Sequence, residues 1–340
     1  MFAGATLQAQ IAVLGAGSWG TALAIQCARK GNAVRLWSRN GESLARIGAA
    51  RRNERYLPDA AFPASLSVEA DLARAVRQAR DVIIAVPSHA FRTVLTDLAE
   101  VAEAETGITW ATKGFELDTG LLPHQVARAV LGERGNIAVL SGPTFAREVG
   151  AGLPTAMTIA SPDQAYATSL AQLLSSDTFR AYTSTDIVGV ETGGAVKNVL
   201  AVGAGLSDGL GFGANTRVAL ITRGLAEMTR LGVALGARSD TFMGLAGLGD
   251  LVLTCTDDQS RNRRFGLLLA GGASVADALR EIGQVVEGYP AARAVLKVAQ
   301  REDVSMPIVE GIHSALYEGV PAIEIVKGLM TRPVRAEVDG

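Results

Sequence analysis

The sequence predicts a doubly wound α/β sheet in its first half and an all-helical second half. Up to about residue 184, short apolar segments typical of buried strands alternate with helical patterns. From Asp186 onward, short β-branched segments largely disappear, and long alanine- and leucine-rich stretches replace them. We therefore predict an α/β domain over residues 1–185, a helical domain over 186–331 and a loose tail over 332–340.

The predicted strands are short apolar segments bounded by polar or glycine-rich turns. They comprise residues 11–14, 33–37, 81–86, 107–112, 136–140, 154–160 and 179–183. Helical patterns fill most of the gaps, for example at 90–98 and 162–174. This alternation indicates a sheet with right-handed crossover connections. In the second half we predict helices at 187–206, 214–235, 261–270, 274–282, 288–300, 308–317 and 321–329.

A glycine-rich turn follows the first predicted strand. Gly15, Gly17 and Gly20 form the pattern Gly-x-Gly-x-x-Gly, and an alanine-rich helical segment comes immediately afterwards. In such turns the first glycine permits the tight turn, the second lets a pyrophosphate approach the backbone, and the third allows helix–strand packing. The N–H groups at the helix N-terminus also attract phosphate. The position of the motif between strand and helix predicts a Rossmann-type dinucleotide site rather than a purely structural turn.

The residues after the second predicted strand bear on the choice of cofactor. An NAD-specific fold usually has an acidic residue there, which binds the ribose hydroxyls. This chain has Ser38 and Arg39 instead. A guanidinium can pair with a 2′-phosphate or lie on the adenine ring, although an exposed loop arginine with no such role is the alternative. We predict that NADP(H) is preferred and that NAD(H) is also used.

Two lysines and one arginine are candidates for chemistry. Lys197 lies among small apolar residues in a predicted helix, where a charge is costly without a partner. Lys113 follows a predicted strand, at the sheet edge that usually binds ligands. Arg261 and Asn262 stand near a predicted helix start and suit a phosphate, but their charged surroundings are also typical of an exposed loop. We expect substrate to bind in a cleft between the two domains.

Composition excludes several other classes of protein. The net charge is −2, from 32 basic and 34 acidic residues, so a broad nucleic-acid-binding surface is not expected. The absence of a long uninterrupted apolar segment predicts no membrane span, and the N-terminal residues lack the pattern of an export signal. We expect a cytoplasmic protein. Cys27 and Cys255 have no metal-ligand spacing, which predicts packed thiols and no metal site.

Seven sequence motifs follow one another along the chain in the order and spacing of a known protein family. They are GAGSWGTALA, N-x-x-YLP, ATKG, SGPTFAREV, GGAVKN, GLGDLVLTC and SRN. Over about residues 10–320 the chain resembles the bacterial NAD(P)-dependent sn-glycerol-3-phosphate dehydrogenase family. The resemblance implies interconversion of dihydroxyacetone phosphate and sn-glycerol 3-phosphate, which feeds phospholipid synthesis. A homodimer is compatible with it. A 3-hydroxyacid dehydrogenase and a nucleotide-binding regulatory protein without turnover are the alternatives.

The resemblance also implies roles for individual residues. Lys197 resembles the catalytic acid/base, Lys113 the lysine that contacts substrate and cofactor, and Asp250 the carboxylate that orients the lysines. The further residues that match substrate contacts are Gly142, Thr144, Ser260, Arg261 and Asn262. Those that match cofactor contacts outside the glycine pattern are Ser18, Trp19, Arg39, Tyr56, Lys113, Ala146, Arg261, Val285 and Glu287.

Two expectations concern ionisable groups. Lys113 should lower the pKa of Lys197 and Asp250 should raise it, so the net direction is open from the sequence. His124 is expected to be an ordinary helix or surface residue.

Overall fold

The computed structural model describes residues 10–132 and 135–331. The predicted tail over 332–340 lies outside these residues. The strands are β1 (Gln10–Leu14), β2 (Ala33–Trp37), β3 (Arg52–Asn53), β4 (Leu57–Ala61), β5 (Leu66–Val68), β6 (Asp81–Ile84), β7 (Gly107–Trp110), β8 (Ile137–Ser141), β9 (Thr155–Ala160) and β10 (Phe179–Ser184). All of them precede residue 185, as the sequence pattern predicts.

Helices flank these strands and make up the second half of the described chain. They are α1 (Ser18–Arg29), α2 (Gly41–Ala50), α3 (Leu72–Val76), α4 (Ser88–Val101), α5 (Pro123–Leu131), α6 (Ala146–Ala151), α7 (Gln164–Leu174), α8 (Ile187–Gly209), α9 (Gly213–Ala234), α10 (Asp250–Thr256), α11 (Arg261–Ala270), α12 (Val275–Ile282), α13 (Gly288–Arg301), α14 (Pro307–His313) and α15 (Ala322–Met330). Shorter turns are a 3₁₀ segment at Ser239–Met243 and π segments at Leu245–Gly249 and Ser314–Glu318.

Eight strands form one sheet in the order β10-β9-β8-β7-β6-β1-β2-β5. Neighbouring strands are parallel except for β8 and β9, which pair antiparallel. The strand order reverses between β1 and β6, so a crevice opens there at the carboxyl ends of the strands, where such sheets bind ligands. The predicted fold class, a doubly wound sheet followed by a helical half, is confirmed.

The long helix α8 is the centre of the second half. All but three of its residues are buried, and helices α9, α10, α11 and α13 pack around it. Its crossing with α11 is very close: a Cβ added at Gly205 would lie 2.0 Å from the carbonyl oxygen of Arg263. Because α8 is enclosed by other helices, a polar side chain on it must find partners inside the protein.

Some element boundaries differ from the prediction. The segments predicted as strands at 81–86 and 107–112 end at Ile84 and Trp110, so Lys113 lies in the loop beyond β7. The predicted helix at 308–317 is divided, because its second part is the π segment Ser314–Glu318. Within the described residues, no helix is long and apolar enough to cross a membrane.

Candidate active site

The glycine turn leaves open backbone at the start of α1. Gly15 has φ +119°, and a Cβ there would lie 2.4 Å from the carbonyl oxygen of Ala85. Gly20 packs so closely on Gly15 that a side chain would not fit. At Gly17, by contrast, a Cβ would meet no atom of the described residues within 4 Å, and none of their side chains caps the helix. The uncapped N–H groups and the open space therefore fit a dinucleotide pyrophosphate.

A buried asparagine outside the glycine pattern supports this turn. The Asn53 side-chain amide donates to the carbonyl oxygen of Ala16 at 3.0 Å and to Thr21 Oγ1 at 2.8 Å. Asn53 thus joins the small β3–β4 sheet to the turn and to α1. This role of Asn53 was not predicted from the sequence, where its place in the motif N-x-x-YLP was the available signal.

The other residues predicted to contact cofactor lie around this crevice with different exposure. Ser18 and Trp19 begin α1 and are half-buried, and Ala146 begins α6. Tyr56 is half-buried beneath the guanidinium of Arg55, whose central carbon is 5.1 Å from the ring centroid. The predicted residues with the greatest exposure are Arg39, just beyond β2, and Val285, which is 43% exposed.

Glu287 connects the helical half to the sheet. Its carboxylate accepts hydrogen bonds from the Ser88 hydroxyl at 2.9 Å and the Ser88 backbone N–H at 3.3 Å. Ser88 begins α4, beside the carboxyl end of β6. Burial raises the pKa of Glu287, and the hydrogen bonds from Ser88 oppose this effect. The contact brings the α13 end of the helical half to the crevice edge.

Two lysines share one buried carboxylate. Asp250, the first residue of α10, is 1% exposed and accepts a hydrogen bond from Lys113 Nζ at 2.7 Å. Its other carboxylate oxygen accepts from Lys197 Nζ. Lys197 also donates to Thr254 Oγ1 at 3.1 Å, and Lys113 to the carbonyl oxygen of Gly142 at 3.4 Å. The loop after β7, helix α8 and helix α10 therefore meet at one charged cluster.

Burial controls the ionisation of this cluster. It lowers the pKa of Lys197 to about 7, with Lys113 acting in the same direction and Asp250 opposing them. Burial alone would raise the pKa of Asp250, but the two ammonium groups together hold it below its usual range. Lys197 can consequently gain or lose a proton near neutral pH while Asp250 stays charged, as an acid/base group requires.

The residues predicted to bind phosphate surround the start of α11. Ser260 caps this helix by accepting from the backbone N–H of Arg263. Arg261 Nη1 donates to Gln284 Oε1 at 3.0 Å, and burial lowers the pKa of Arg261. The Asn262 side chain donates to Asn198 Oδ1 at 2.9 Å, next to Lys197 in the chain. Its oxygen accepts from the backbone of α13.

The structure unites some predicted residues in direct contact and leaves others apart. Lys113, Lys197, Asp250 and the carbonyl of Gly142 form one hydrogen-bonded group, and Thr144 Oγ1 donates to that same carbonyl at 3.3 Å. Asn262 hydrogen-bonds instead to Asn198, the chain neighbour of Lys197. Arg39 and Val285 lie at exposed positions, so contact with a cofactor there would occur at its rim.

His124 lies on helix α5, one of the two positions expected for it, but it is not a surface residue. It is 7% exposed, and its Nδ1 lies 2.6 Å from Oε2 of the buried Glu191 on α8. The partner is 67 positions away in the chain, so local sequence gave no signal of this pairing.

A pyrophosphate turn on a sheet edge and a lysine that titrates near neutrality suit hydride transfer coupled to proton transfer. Together with the fold, they define the class of NAD(P)-dependent oxidoreductases. Comparisons specify the class further. The chain matches the family model of the N-terminus of NAD-dependent glycerol-3-phosphate dehydrogenase over residues 10–167 and that of the C-terminus over residues 186–327.

Individual relatives agree with these models. A glycerol-3-phosphate dehydrogenase (NAD(P)+) of Serratia proteamaculans is 55% identical, with 98% of each chain covered. One of Vibrio cholerae is 54% identical over 96% of each chain. The crystal structure of glycerol-3-phosphate dehydrogenase from Coxiella burnetii is 45% identical, with a TM-score of 0.92, and the match covers 96% of this chain and 99% of that one. The chain belongs to the NAD-dependent glycerol-3-phosphate dehydrogenase family.

Proposed function

We propose that this oxidoreductase interconverts dihydroxyacetone phosphate and sn-glycerol 3-phosphate for glycerophospholipid synthesis, with Lys197 as the proton donor and acceptor. The observation that carries this proposal is the buried Lys113–Asp250–Lys197 cluster beside a dinucleotide-binding sheet. Family membership supports the choice of substrate. Three expectations remain predictions. They are the division into a nucleotide-binding domain over residues 1–185 and a helical substrate domain over 186–331, a cytoplasmic location, and a homodimer.

Proton transfer follows from charge development on the substrate. When bound, the nicotinamide ring supplies or accepts the hydride. In the reducing direction, negative charge grows on the ketone oxygen, and the Lys197 ammonium stabilises that oxygen and then donates its proton. In the oxidising direction, neutral Lys197 takes the hydroxyl proton. A lysine whose pKa is about 7 suits both tasks.

Asp250 and Lys113 support this step in different ways. Asp250 holds both lysine side chains through its two carboxylate oxygens, which fixes the direction of Lys197 Nζ. Lys113 adds positive charge, lowers the pKa of Lys197 and lies on the sheet side, where it can contact substrate and cofactor together. Removing Asp250 would leave two buried ammonium groups without their shared counter-ion.

The substrate phosphate is assigned to the start of α11. Arg261 and Asn262 supply a guanidinium and an amide there, next to the capped helix N-terminus, and such groups suit a phosphate. The further residues assigned to the substrate are Ser260, Gly142 and Thr144. The cofactor is assigned to Gly15, Gly17, Ser18, Trp19, Gly20, Arg39, Tyr56, Lys113, Ala146, Arg261, Val285 and Glu287.

We assign Arg39 to the preference for NADP(H). Its exposed guanidinium stands just beyond β2, where an NAD-specific site would carry an acidic residue. Arg39→Ala should lower kcat/KM for NADPH roughly tenfold, the scale of one charge-assisted hydrogen bond, and change that for NADH less than about twofold. Steady-state kinetics with both cofactors provide the measurement. A wild-type preference for NADH would contradict the assignment.

The central test measures NADPH absorbance after addition of dihydroxyacetone phosphate. Lys197→Ala should reduce kcat by ~10² or more, the usual scale for a general acid/base. Lys297→Ala is the matched control, because Lys297 is an exposed lysine on α13 that donates to the Asp118 carbonyl. It should keep wild-type turnover. Near-wild-type turnover in Lys197→Ala would remove Lys197 from the mechanism.

A further inference from the structure

Glu191 is a buried carboxylate that the proposed mechanism does not use. It is 4% exposed and takes part in three hydrogen bonds. Oε1 accepts from Trp110 Nε1 at 2.8 Å and from the backbone N–H of His124 at 2.9 Å. Oε2 lies 2.6 Å from His124 Nδ1. All of these partners belong to the sheet half, whereas Glu191 lies on α8 of the helical half.

The partners are close in the chain to the charged cluster. Trp110 is the last residue of β7, and Lys113 follows three positions later. Glu191 precedes Lys197 by six positions on α8, which is about 9 Å along a helix. The hydrogen bonds of Glu191 therefore connect the strand that leads to Lys113 with the helix that carries Lys197.

Packing between these two points leaves little freedom. Gly194 lies between Glu191 and Lys197 on α8, and a Cβ there would be 3.3 Å from Cγ of Lys113. Helix α8 therefore lies close to the Lys113 side chain at Gly194, between Glu191 and Lys197, the two residues through which it makes these polar contacts. A shift of α8 along its axis would change the separation of the two lysine nitrogens from Asp250.

We propose that Glu191 is a positioning residue, which fixes α8 against β7 and α5 so that Lys197 and Lys113 reach the same carboxylate. This inference rests on the proposed role of Lys197. Apolar side chains could fill the same volume, but three directional hydrogen bonds also fix the axial position of the helix. Misplacement by about 1 Å can reduce a reaction rate ~10²-fold, so this position matters for turnover.

The test compares kcat, KM and thermal stability across a set of variants. Glu191→Ala should lower kcat roughly 10- to 100-fold and change the KM for dihydroxyacetone phosphate less than about threefold, because Lys197 acts mainly in the transition state. Glu191→Gln should recover most of the turnover. Its amide oxygen can accept from Trp110 and its amide group can donate to His124.

Glu227→Ala is the matched control. Glu227 is also a buried glutamate, 2% exposed, and it accepts from the backbone N–H groups of Ile308 and Val309 at the start of α14, away from the lysines. It should lose thermal stability with kcat unchanged. If Glu227→Ala loses as much kcat as Glu191→Ala, or if Glu191→Ala has wild-type kcat, the proposal is wrong.

Two further variants separate the possible failures. If Glu191→Ala does not fold, Trp110→Phe replaces it: removal of this one donor should lower kcat about threefold at unchanged KM, and wild-type kcat would overturn the proposal. Lys197→Ala tests the underlying mechanism. If it is active, the role of Lys197 fails; if it is inactive while Glu191→Ala turns over normally, only the positioning role fails.

Discussion

At the scale of single residues, the ionisation of Lys197 determines how the reaction should respond to pH. In the proposed mechanism, oxidation of sn-glycerol 3-phosphate needs neutral Lys197, whereas reduction of dihydroxyacetone phosphate needs its ammonium form. Burial places the pKa of Lys197 at about 7. The two directions should therefore depend on pH with opposite signs.

We expect kcat for oxidation to rise roughly tenfold between pH 6 and pH 8, because the neutral fraction of a group with a pKa near 7 grows by about that factor. The kcat for reduction should fall over the same range. Initial rates in both directions, measured at constant ionic strength, check this expectation. An oxidation rate that stays flat from pH 6 to pH 8 would show that Lys197 is not the titrating base.

Lys197 stands out in the sequence because of its apolar neighbours, but the direction of its pKa shift could not be predicted. Lys113 and Asp250 shift this pKa in opposite directions, so the net effect was open from the sequence. In the structure the largest effect is burial, since Lys197 is only 7% exposed. Burial of one side chain depends on how five helices pack, and no local pattern carries that information.

Contacts between residues that lie far apart in the chain could not be predicted from the sequence either. Glu191 pairs with His124 and Trp110, which lie 67 and 81 positions away. Asn53 supports the glycine turn from a strand of only two residues. The sequence pattern around each residue predicts at most its own local structure, so only the folded chain reveals its partners.

At the scale of secondary structure, long apolar elements were predictable and short polar ones were not. The central strands and α8 have continuous apolar segments, and their positions agree with the prediction within a few residues. The hairpin β3–β4 and the strand β5 are short and partly polar, so they gave no clear pattern. Their stability comes from packing on α1, α2 and β2.

The π segment before α10 shows how a missed element can matter for the site. Leu245–Gly249 is rich in glycine, which predicts a loop, yet it continues directly into α10. Gly247 approaches Phe242 so closely that a Cβ would lie 2.2 Å from its carbonyl oxygen. This tight winding sets where α10 begins, and Asp250 is its first residue. π segments occur frequently at functional sites of proteins.

At the scale of the whole molecule, the surface and the site differ in charge. The net charge of −2 describes a nearly neutral protein. The proposed substrate site nevertheless includes the positive side chains of Lys113 and Lys197, which share the carboxylate of Asp250, and Arg261 is assigned to the same substrate. The near-neutral net charge predicts no broad anionic partner, and the positive side chains of the proposed site suit one small phosphate ester.

The two halves of the molecule divide the proposed recognition of that ester. The glycine turn of the sheet half is assigned to the dinucleotide, and Arg261 on α11 of the helical half is assigned to the substrate phosphate. Binding energy from the phosphate can then align the reacting carbon, which lies several bonds away.

Arg261→Ala should lower kcat/KM for dihydroxyacetone phosphate by roughly 100-fold, since loss of a buried charged partner typically costs ~2–5 kcal/mol. For dihydroxyacetone, which lacks the phosphate, the change should be under about threefold. Arg280→Ala on the exposed face of α12 serves as the control and should leave both substrates unaffected. An equal loss on both substrates would mean that Arg261 acts on the fold or the cofactor instead of the phosphate.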